Sequence, residues 1–381
     1  MTDIAQLFSG IGVVIDEAIF ASEDGPNGIQ KIIHSFESRH IPLLKFKELP
    51  DNELIPQLHS ISFLLLDWNL SGIQPIPKAT VDDNIEFIKK IREICYVPVF
   101  IFSDEDSHTI EISLSEHEIT PQNSPIFIRK KEDLDTVDKL FDEIEKWIKK
   151  TPSVYVLKEW EKSTRDAKIM MLSELSSIHA SWPFVLVESV QEDGGDSSWE
   201  LMNSLQNNLS HRIIAPKFDN EVIEAQKEGI SKEEVRKILE CERFIPNNKL
   251  PDYPFAGDIY IINDNYYVNI RPDCDIIREK KDLYLLKGTI IDETTINSEQ
   301  DNATVFKNGE FLEKINNCYV AFVDGKILSF SMRKLTIEKW NDIKANRQGR
   351  LLPPFITKIQ QKYSSYIQRQ GLPSIPGQAI N

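Results

Sequence analysis

The feature that most constrains the fold of this chain is a series of short apolar runs in its first 150 residues. The strongest are IGVVID (11–16), FLLLDW (63–68), VPVFIFS (97–103) and PIFIRK (125–130), and LLKFKEL (43–49) is a weaker one. Runs this short and this continuously apolar are typical of strands buried on both faces of a parallel sheet. Amphipathic helical stretches separate them. The alternation predicts a doubly wound, flavodoxin-like α/β domain.

After residue 150, the secondary-structure pattern of the sequence changes twice. Helical patterns come first, and short β-rich runs separated by turn residues follow, which predicts a small barrel or sandwich. The dipeptide Asp324-Gly325 lies between two of these runs and is a hairpin signal. We therefore expect three domains: a parallel-sheet domain at 1–150, a mainly helical linking region at 151–250 and a β-rich domain with a C-terminal helix at 251–381.

The net charge and the spacing of the cysteines disfavour several classes of protein. A net charge of −16 disfavours proteins that coat nucleic acid or an anionic membrane, because both surfaces attract clustered cations. No apolar stretch reaches the ~18 residues that span a bilayer, and the N-terminal residues do not resemble a secretory signal. The cysteines form no C-x-x-C pair, so neither a zinc ribbon nor a disulfide framework is indicated. We expect a cytoplasmic protein without a membrane or nucleic-acid partner.

Polar side chains stand at the carboxyl ends of the predicted strands, where doubly wound sheets bind ligands. Asp16 and Glu17 end the first strand, Asp67 ends the third, Ser103 the fourth and Lys130 the fifth. Because the carboxyl ends of parallel strands meet at one edge of a sheet, we expect these side chains to lie close together.

This set of residues suits phosphoryl transfer. A carboxylate such as Asp67 can attack phosphorus and form an aspartyl phosphate, and catalysis of that step is mostly positioning and electrostatics. Mg²⁺ takes oxygen ligands and offsets the charge. Lys130 would pair with one phosphoryl oxygen, and the Ser103 hydroxyl would donate a hydrogen bond to another. The expected metal ligands are the carboxylates of Asp16, Glu17 and Asp67 and the backbone carbonyl of Asn69.

The segments VVIDE, FLLLDWNLSG, FIFS and FIRK occur in an order and near a spacing that resemble the receiver domain of two-component response regulators. The resemblance covers residues 10–150. It implies that Phe127, three residues before the lysine, changes rotamer with Ser103. Lys131 stands where the family usually has proline, so it is a rival to Lys130. The implied roles are metal acids for Asp16 and Glu17, phosphoacceptor for Asp67, hydroxyl switch for Ser103 and conserved lysine for Lys130.

The resemblance also implies partners and an output. A histidine kinase would phosphorylate Asp67, and the signal would leave by protein–protein contact, with homodimer formation on activation. A receiver without a recognisable effector also resembles, in architecture, the phosphate-buffering component of bacterial anti-phage phosphorelays such as the Detocs system. A phosphate-independent pseudo-receiver scaffold is a further reading.

A second hypothesis concerns the β-rich region. Arg271, Asp273 and Asp275 alternate, so they would share one strand face or flank a turn. They would make the region an effector enzyme that is gated by the receiver and acts on RNA or a nucleotide. The favoured alternative is a polar strand face that ends in a turn at Pro272. The basic and aromatic stretch at 347–376 is likewise read as an RNA-binding surface or as an amphipathic helix that docks on the β-rich region, and the docked helix is favoured.

Overall fold

The computed structural model describes residues 8–20, 28–120, 125–133, 137–192, 196–278, 282–291, 313–314 and 317–369. The chain forms two compact units. One comprises Met1–Ser177 and Asn207–Glu228, and the other comprises Ile178–Gln206 and Gly229–Asn381. The helical residues expected as a linking region at 151–250 are therefore shared between the two units.

Five parallel strands form the sheet of the first unit. They are β1 (Gly12–Ile15), β2 (Leu43–Phe46), β3 (Phe63–Leu66), β4 (Val99–Ser103) and β5 (Ile126–Lys130). Their order across the sheet is β2-β1-β3-β4-β5. Every residue of β1, β3 and β4 is buried, which explains why these strands are continuous apolar runs in the sequence.

Helices cover both faces of this sheet: α1 (Gly28–Ser38), α2 (Lys78–Ile94), α3 (Ser107–Ser115) and α4 (Val137–Lys149). Phe36 of α1 and Phe141 of α4 pack with Phe100 of β4 in one buried cluster. Ile88 of α2 and Ile110 of α3 pack in another cluster, on the other face. The prediction of a parallel α/β sheet at the start of the chain is confirmed.

Further helices follow along the chain: α5 (Pro152–Ile178), α6 (Trp182–Glu192), α7 (Ser197–Arg212), α8 (Asn220–Ile223) and α9 (Lys232–Arg243). Lys158 of α5 is buried, and its ammonium donates a hydrogen bond to the carbonyl oxygen of Ser62 at 2.7 Å, which ties α5 to the start of β3. Val222 of α8 joins the buried cluster of α1 and α4. None of the helices in the described residues is long and apolar enough to cross a membrane.

The second unit contains an eight-stranded sheet. Its strands are β6 (Phe244–Pro246), β7 (Asp258–Ile262), β8 (Asn265–Asn269), β9 (Asp282–Ile290), β10 (Glu313–Lys314), β11 (Asn317–Val323), β12 (Lys326–Lys339) and β13 (Arg347–Leu351). They lie in the order β10-β11-β12-β9-β8-β7-β13-β6, and every neighbouring pair is antiparallel. The β-rich region expected from the sequence is an antiparallel sheet.

Two-residue turns join β7 to β8 and β11 to β12. Asp324 and Gly325 have φ values of 51° and 68° and connect β11 to β12, with Val323 opposite Lys326. Positive φ at both central positions is the turn geometry that matches the twist of a hairpin. The hairpin predicted at Asp324-Gly325 is confirmed.

Helices complete the second unit: α10 (Asp273–Arg278), α11 (Trp340–Ile343) and α12 (Phe355–Gln368). Phe355, Ile356 and Ile359 of α12 are buried in the same cluster as Val268 of the sheet. The favoured prediction of a docked amphipathic helix is confirmed for this part of the chain, and residues 370–376 of that stretch lie outside the described residues.

The close approach of Gly257 to the backbone of Leu351 can be tested by substitution. This glycine has a φ of 89°, and a Cβ there would overlap the carbonyl oxygen of Leu351. We expect Gly257→Ala to lower the free energy of unfolding by about 3 kcal/mol or more, because backbone strain and a steric clash add. Gly325→Ala is the control, since Gly325 also has positive φ but open space around it. It should cost only about 1 kcal/mol in denaturant unfolding, and equal losses would contradict the clash.

Candidate functional site

Acidic side chains converge at the carboxyl edge of the parallel sheet. Asp16 and Glu17 follow β1, and Asp67 follows β3, the strand beside β1. Carboxylate oxygens from the three residues lie within 4.8 Å of one another. Asp16 is fully buried and Asp67 is 4% exposed. The acids singled out in the sequence are therefore brought together.

Within the described residues, the lysine that contacts this cluster is Lys131. Its Nζ donates to Asp16 Oδ2 at 2.7 Å and to Asp67 Oδ2 at 2.9 Å. Lys130 is the last residue of β5 and lies opposite Ser103 in the strand register. Lys131 begins the 3-10 turn Lys131–Asp133, where the chain leaves the sheet. The rival Lys131, and not Lys130, is therefore the lysine that contacts Asp16 and Asp67 in the structure.

Asn69 lies in the turn after β3. Its backbone N–H donates to Asp67 Oδ1 at 3.3 Å, and its carbonyl, the expected metal ligand, accepts a hydrogen bond from the N–H of Gly72 at 3.2 Å. A carbonyl oxygen has two lone pairs, so this bond leaves a position for a cation. The side chain of Asn69 donates to the carbonyl of Ile73 and accepts from the hydroxyl of Ser71. The turn is held by its own polar groups.

Ser103 ends β4 at the same edge of the sheet. Its side chain is fully buried, and its Oγ accepts a hydrogen bond from the N–H of Glu105 at 3.3 Å. Ser103 thus occupies the strand end beside that of Asp67, as the sequence predicts. A hydroxyl there can donate a hydrogen bond to a group bound at Asp67 if that group reaches across the two strand ends.

Phe127 is not placed to follow Ser103. Side chains alternate between the faces of a strand, so Ser103 shares the face of Ile101. Phe127 packs in the cluster on the opposite face, with its ring centroid 5.5 Å from that of Trp147. With the lysine reassigned to Lys131, the position three residues earlier is Ile128, which lies in the same cluster as Ile101. The side chain three residues before Lys131 is therefore aliphatic.

The cluster contains three carboxyl groups and one lysine, and its burial and charges shift the pKa values of these groups. Burial raises the pKa of Asp16, Lys131 opposes this rise and Asp67 adds to it. Burial raises the pKa of Glu17 to about 7, helped by a hydrogen bond to Asp67 and by repulsion from Asp67 and Asp16. Burial lowers the pKa of Lys131, but attraction to Asp67 and Asp16 outweighs it, so the net change is upwards. The lysine is held charged, and its single charge faces three carboxyl groups.

These residues fit a hard divalent cation. Oε2 of Glu17 is buried and has no hydrogen-bond partner among the described residues. A buried carboxylate oxygen without a partner is costly, and a cation would satisfy it. Carboxylate oxygens are also the ligands that Mg²⁺ prefers. The donor set of Asp16, Glu17 and Asp67 therefore suits Mg²⁺.

The residues of the effector hypothesis do not form one site. Arg271 is 4% exposed, and its guanidinium donates to the carbonyl of Asp282 at 2.7 Å. Asp273 accepts a hydrogen bond from the N–H of Ala256 at 2.6 Å, and Asp275 is exposed on α10. Each of the first two contacts stabilises a local backbone segment. The observed contacts favour a structural role for Arg271 and Asp273.

A buried ion pair in the second unit was missed in the sequence. Asp258 is fully buried, and Arg350 and Arg347 approach it at 2.6 Å and 3.5 Å. Arg347 also donates to the carbonyls of Tyr253 and Pro251. The partners lie some 90 residues apart in the chain, so no local pattern indicates the pair. Its contacts are internal and join β7 to β13.

Comparisons with known proteins assign no family. No protein-family model and no curated protein matches the chain. A solved structure described as a trimeric coiled coil of yeast Spc42 fused to another structure is similar to 45% of the chain and 92% of its own length, with 9% identity and a TM-score of 0.27. A similarity this weak carries no argument about the fold or the function.

The assignment of Lys131 can be tested by removing each lysine. Lys131→Met leaves buried Asp16 and Asp67 without their cation, so we expect the free energy of unfolding to fall by about 2 kcal/mol or more. Lys130→Met is the matched control and should change it by less than ~0.5 kcal/mol. Denaturant unfolding without divalent cations measures both variants. A larger loss from Lys130→Met would return the role to Lys130.

The raised pKa of Glu17 predicts a pH-dependent stability in the absence of metal. The folded-state value of about 7 exceeds the ordinary value of 4.5, so folding favours the protonated form. That contribution is complete below the unfolded-state pKa and is lost as the pH rises through about 7. Glu17→Gln cannot ionise. With EDTA at about pH 8 it should be more stable than wild type by on the order of 2 kcal/mol, allowing for partial exposure.

At about pH 5 the difference should nearly vanish, because wild-type Glu17 is then protonated in the fold. Thermal unfolding across the pH range measures the gap between the two proteins. A gap that stays constant with pH would show that the effect of Glu17→Gln is a packing change and not a titration.

Proposed function

We propose that the parallel-sheet unit is a receiver domain in which Asp67 accepts a phosphoryl group from a histidine kinase. The observation that carries the proposal is the bridge of Lys131 between Asp16 and Asp67 at the carboxyl edge of the sheet. Glu17 and Ser103 flank this bridge from the ends of β1 and β4. An acidic pair, a buried aspartate, a hydroxyl and a lysine are the groups that the resemblance to receiver domains implies for phosphoryl acceptance.

The proposed step is an in-line displacement. A carboxylate oxygen of Asp67 attacks the phosphorus of a phosphohistidine, so a P–O bond forms as the P–N bond breaks. The electron pair of the P–N bond returns to the imidazole, which takes up a proton from solvent. Mg²⁺ held by Asp16, Glu17 and Asp67 would offset the charge on the transferring oxygens.

The chain's own groups orient the acceptor. Lys131 binds one oxygen of Asp67, and the N–H of Asn69 binds the other. Each carboxylate oxygen is therefore fixed before the donor arrives, which lowers the entropic part of the barrier. Once the phosphoryl group is attached, the charge of Lys131 and the hydroxyl of Ser103 are the groups beside Asp67 that can bind its oxygens.

The proposal extends to the output. Transfer changes the charge next to Ser103, at the start of the segment that leads into α3. A changed surface at α3 would be read by protein–protein contact, or the domain would act as a phosphate buffer, as in the anti-phage phosphorelays that its architecture resembles. Both outputs need an aspartate that accepts a phosphoryl group.

Thermal unfolding with Mg²⁺ and beryllium fluoride, a mimic of aspartyl phosphate, tests the acceptor. A ligand that binds only the folded state raises stability by mass action, by about 2.7 kcal/mol at a hundred times its Kd. We expect wild type to show a Mg²⁺-dependent rise in Tm and Asp67→Asn to show none. Asp83→Asn removes an exposed aspartate of α2 and should behave as wild type.

A rise of equal size in Asp67→Asn would place fluoride binding elsewhere and reject Asp67 as the acceptor. No rise in any of the three proteins would favour a pseudo-receiver scaffold that does not take phosphate.

A further inference from the structure

A buried asparagine outside the carboxylate cluster contacts the turn that carries the phosphoacceptor. Asn84 lies in the second turn of α2 and is fully buried. Its Nδ2 donates a hydrogen bond to the carbonyl oxygen of Trp68 at 2.7 Å. Trp68 directly follows Asp67, and its side chain is 1% exposed. The helix therefore holds the backbone one residue from the proposed acceptor.

This contact complements the bonds made within the turn. Asn69 donates its backbone N–H to Asp67 Oδ1, and its side chain is bound to Ser71 and Ile73. Those bonds fix Asn69 relative to the loop, but they do not tie the loop to the rest of the domain. The bond from Asn84 to Trp68 does so, because α2 packs on the sheet through Ile85, Ile88 and Ile91.

The second polar atom of Asn84 offsets much of the stability that the hydrogen bond to Trp68 contributes. Its Oδ1 is buried and has no hydrogen-bond partner among the described residues. An unsatisfied buried acceptor is destabilising, and a leucine of similar shape would remove this one but leave the carbonyl of Trp68 without its donor. Asparagine and leucine would therefore each leave one buried acceptor unsatisfied, so the asparagine has little net advantage in stability. What distinguishes it is the bond of its amide nitrogen to the turn after Asp67.

We propose that Asn84 is a positioning residue for the phosphoacceptor site, an inference that rests on the proposed function. By binding the carbonyl of Trp68, it sets the orientation of the peptide between Trp68 and Asn69. That peptide carries the N–H that binds Asp67, and the next carbonyl is the expected metal ligand. Without Asn84, the buried carbonyl of Trp68 loses its donor, and the turn shifts to expose it to water.

The test is to separate ligand affinity from stability in Asn84→Leu. This variant keeps the approximate shape, removes the donor and also removes the unsatisfied oxygen. We expect its Tm without ligands to stay within about 3 °C of wild type. We expect its affinities for Mg²⁺ alone, and for beryllium fluoride with Mg²⁺, to fall about tenfold, the equivalent of one lost hydrogen bond. Calorimetric titration measures both affinities.

Ile91→Val is the matched control, because it removes a buried methyl group from the same helix two turns away from Asn84. It should lower the Tm and leave both affinities unchanged. Wild-type affinity in Asn84→Leu would overturn the proposal, and so would an equal loss of affinity in Ile91→Val. If wild type binds Mg²⁺ but not beryllium fluoride, the proposed phosphoacceptor function fails, while the Mg²⁺ titration still decides the role of Asn84.

Discussion

The ammonium of Lys131 is the interaction on which the carboxyl edge of the parallel sheet depends. Asp16 and Asp67 have almost no exposure to solvent, and Lys131 is the cation that contacts both within the described residues. Burying two carboxylates side by side without such a partner would be strongly unfavourable. One positive charge does not balance three acidic groups, however, and burial together with repulsion from Asp67 and Asp16 raises the pKa of Glu17. The site is stable enough to fold and still has a deficit of positive charge.

The sheet topology brings these groups together. Asp16 and Asp67 are 51 positions apart in the sequence, but they follow β1 and β3, which are neighbouring parallel strands. The strands β4 and β5 continue the same edge, and they add Ser103 and Lys131. Because each crossover returns the chain to the same end of the parallel sheet, every strand contributes its carboxyl end to one surface. The helices α1 to α4 supply the buried faces that keep the strands in this order.

Much of this site could be predicted, because each acid directly follows an apolar run and so marks a strand end. The lysine could not be predicted to the residue. A one-residue shift moves a side chain to the other face of a strand, and apolar patterning does not define a strand end to that accuracy. The same shift explains Phe127, which lies on the face opposite Ser103. In the second unit, the pair of Asp258 with Arg350 depends on the pairing of β7 with β13, which no local pattern reveals.

Two buried acceptors, one beside Asp67 and one on a residue bonded to Trp68, share a physical property. Oε2 of Glu17 and Oδ1 of Asn84 lack hydrogen-bond partners among the described residues. Such atoms reduce stability, and sites that bind ligands are where a fold most often retains them. A bound cation would satisfy the unpaired Oε2 of Glu17 directly. The unpaired Oδ1 of Asn84 accompanies a bond to Trp68 that orients the acceptor turn. These two unsatisfied acceptors are therefore a local energetic cost at residues that the proposed function assigns to metal binding and to positioning Asp67.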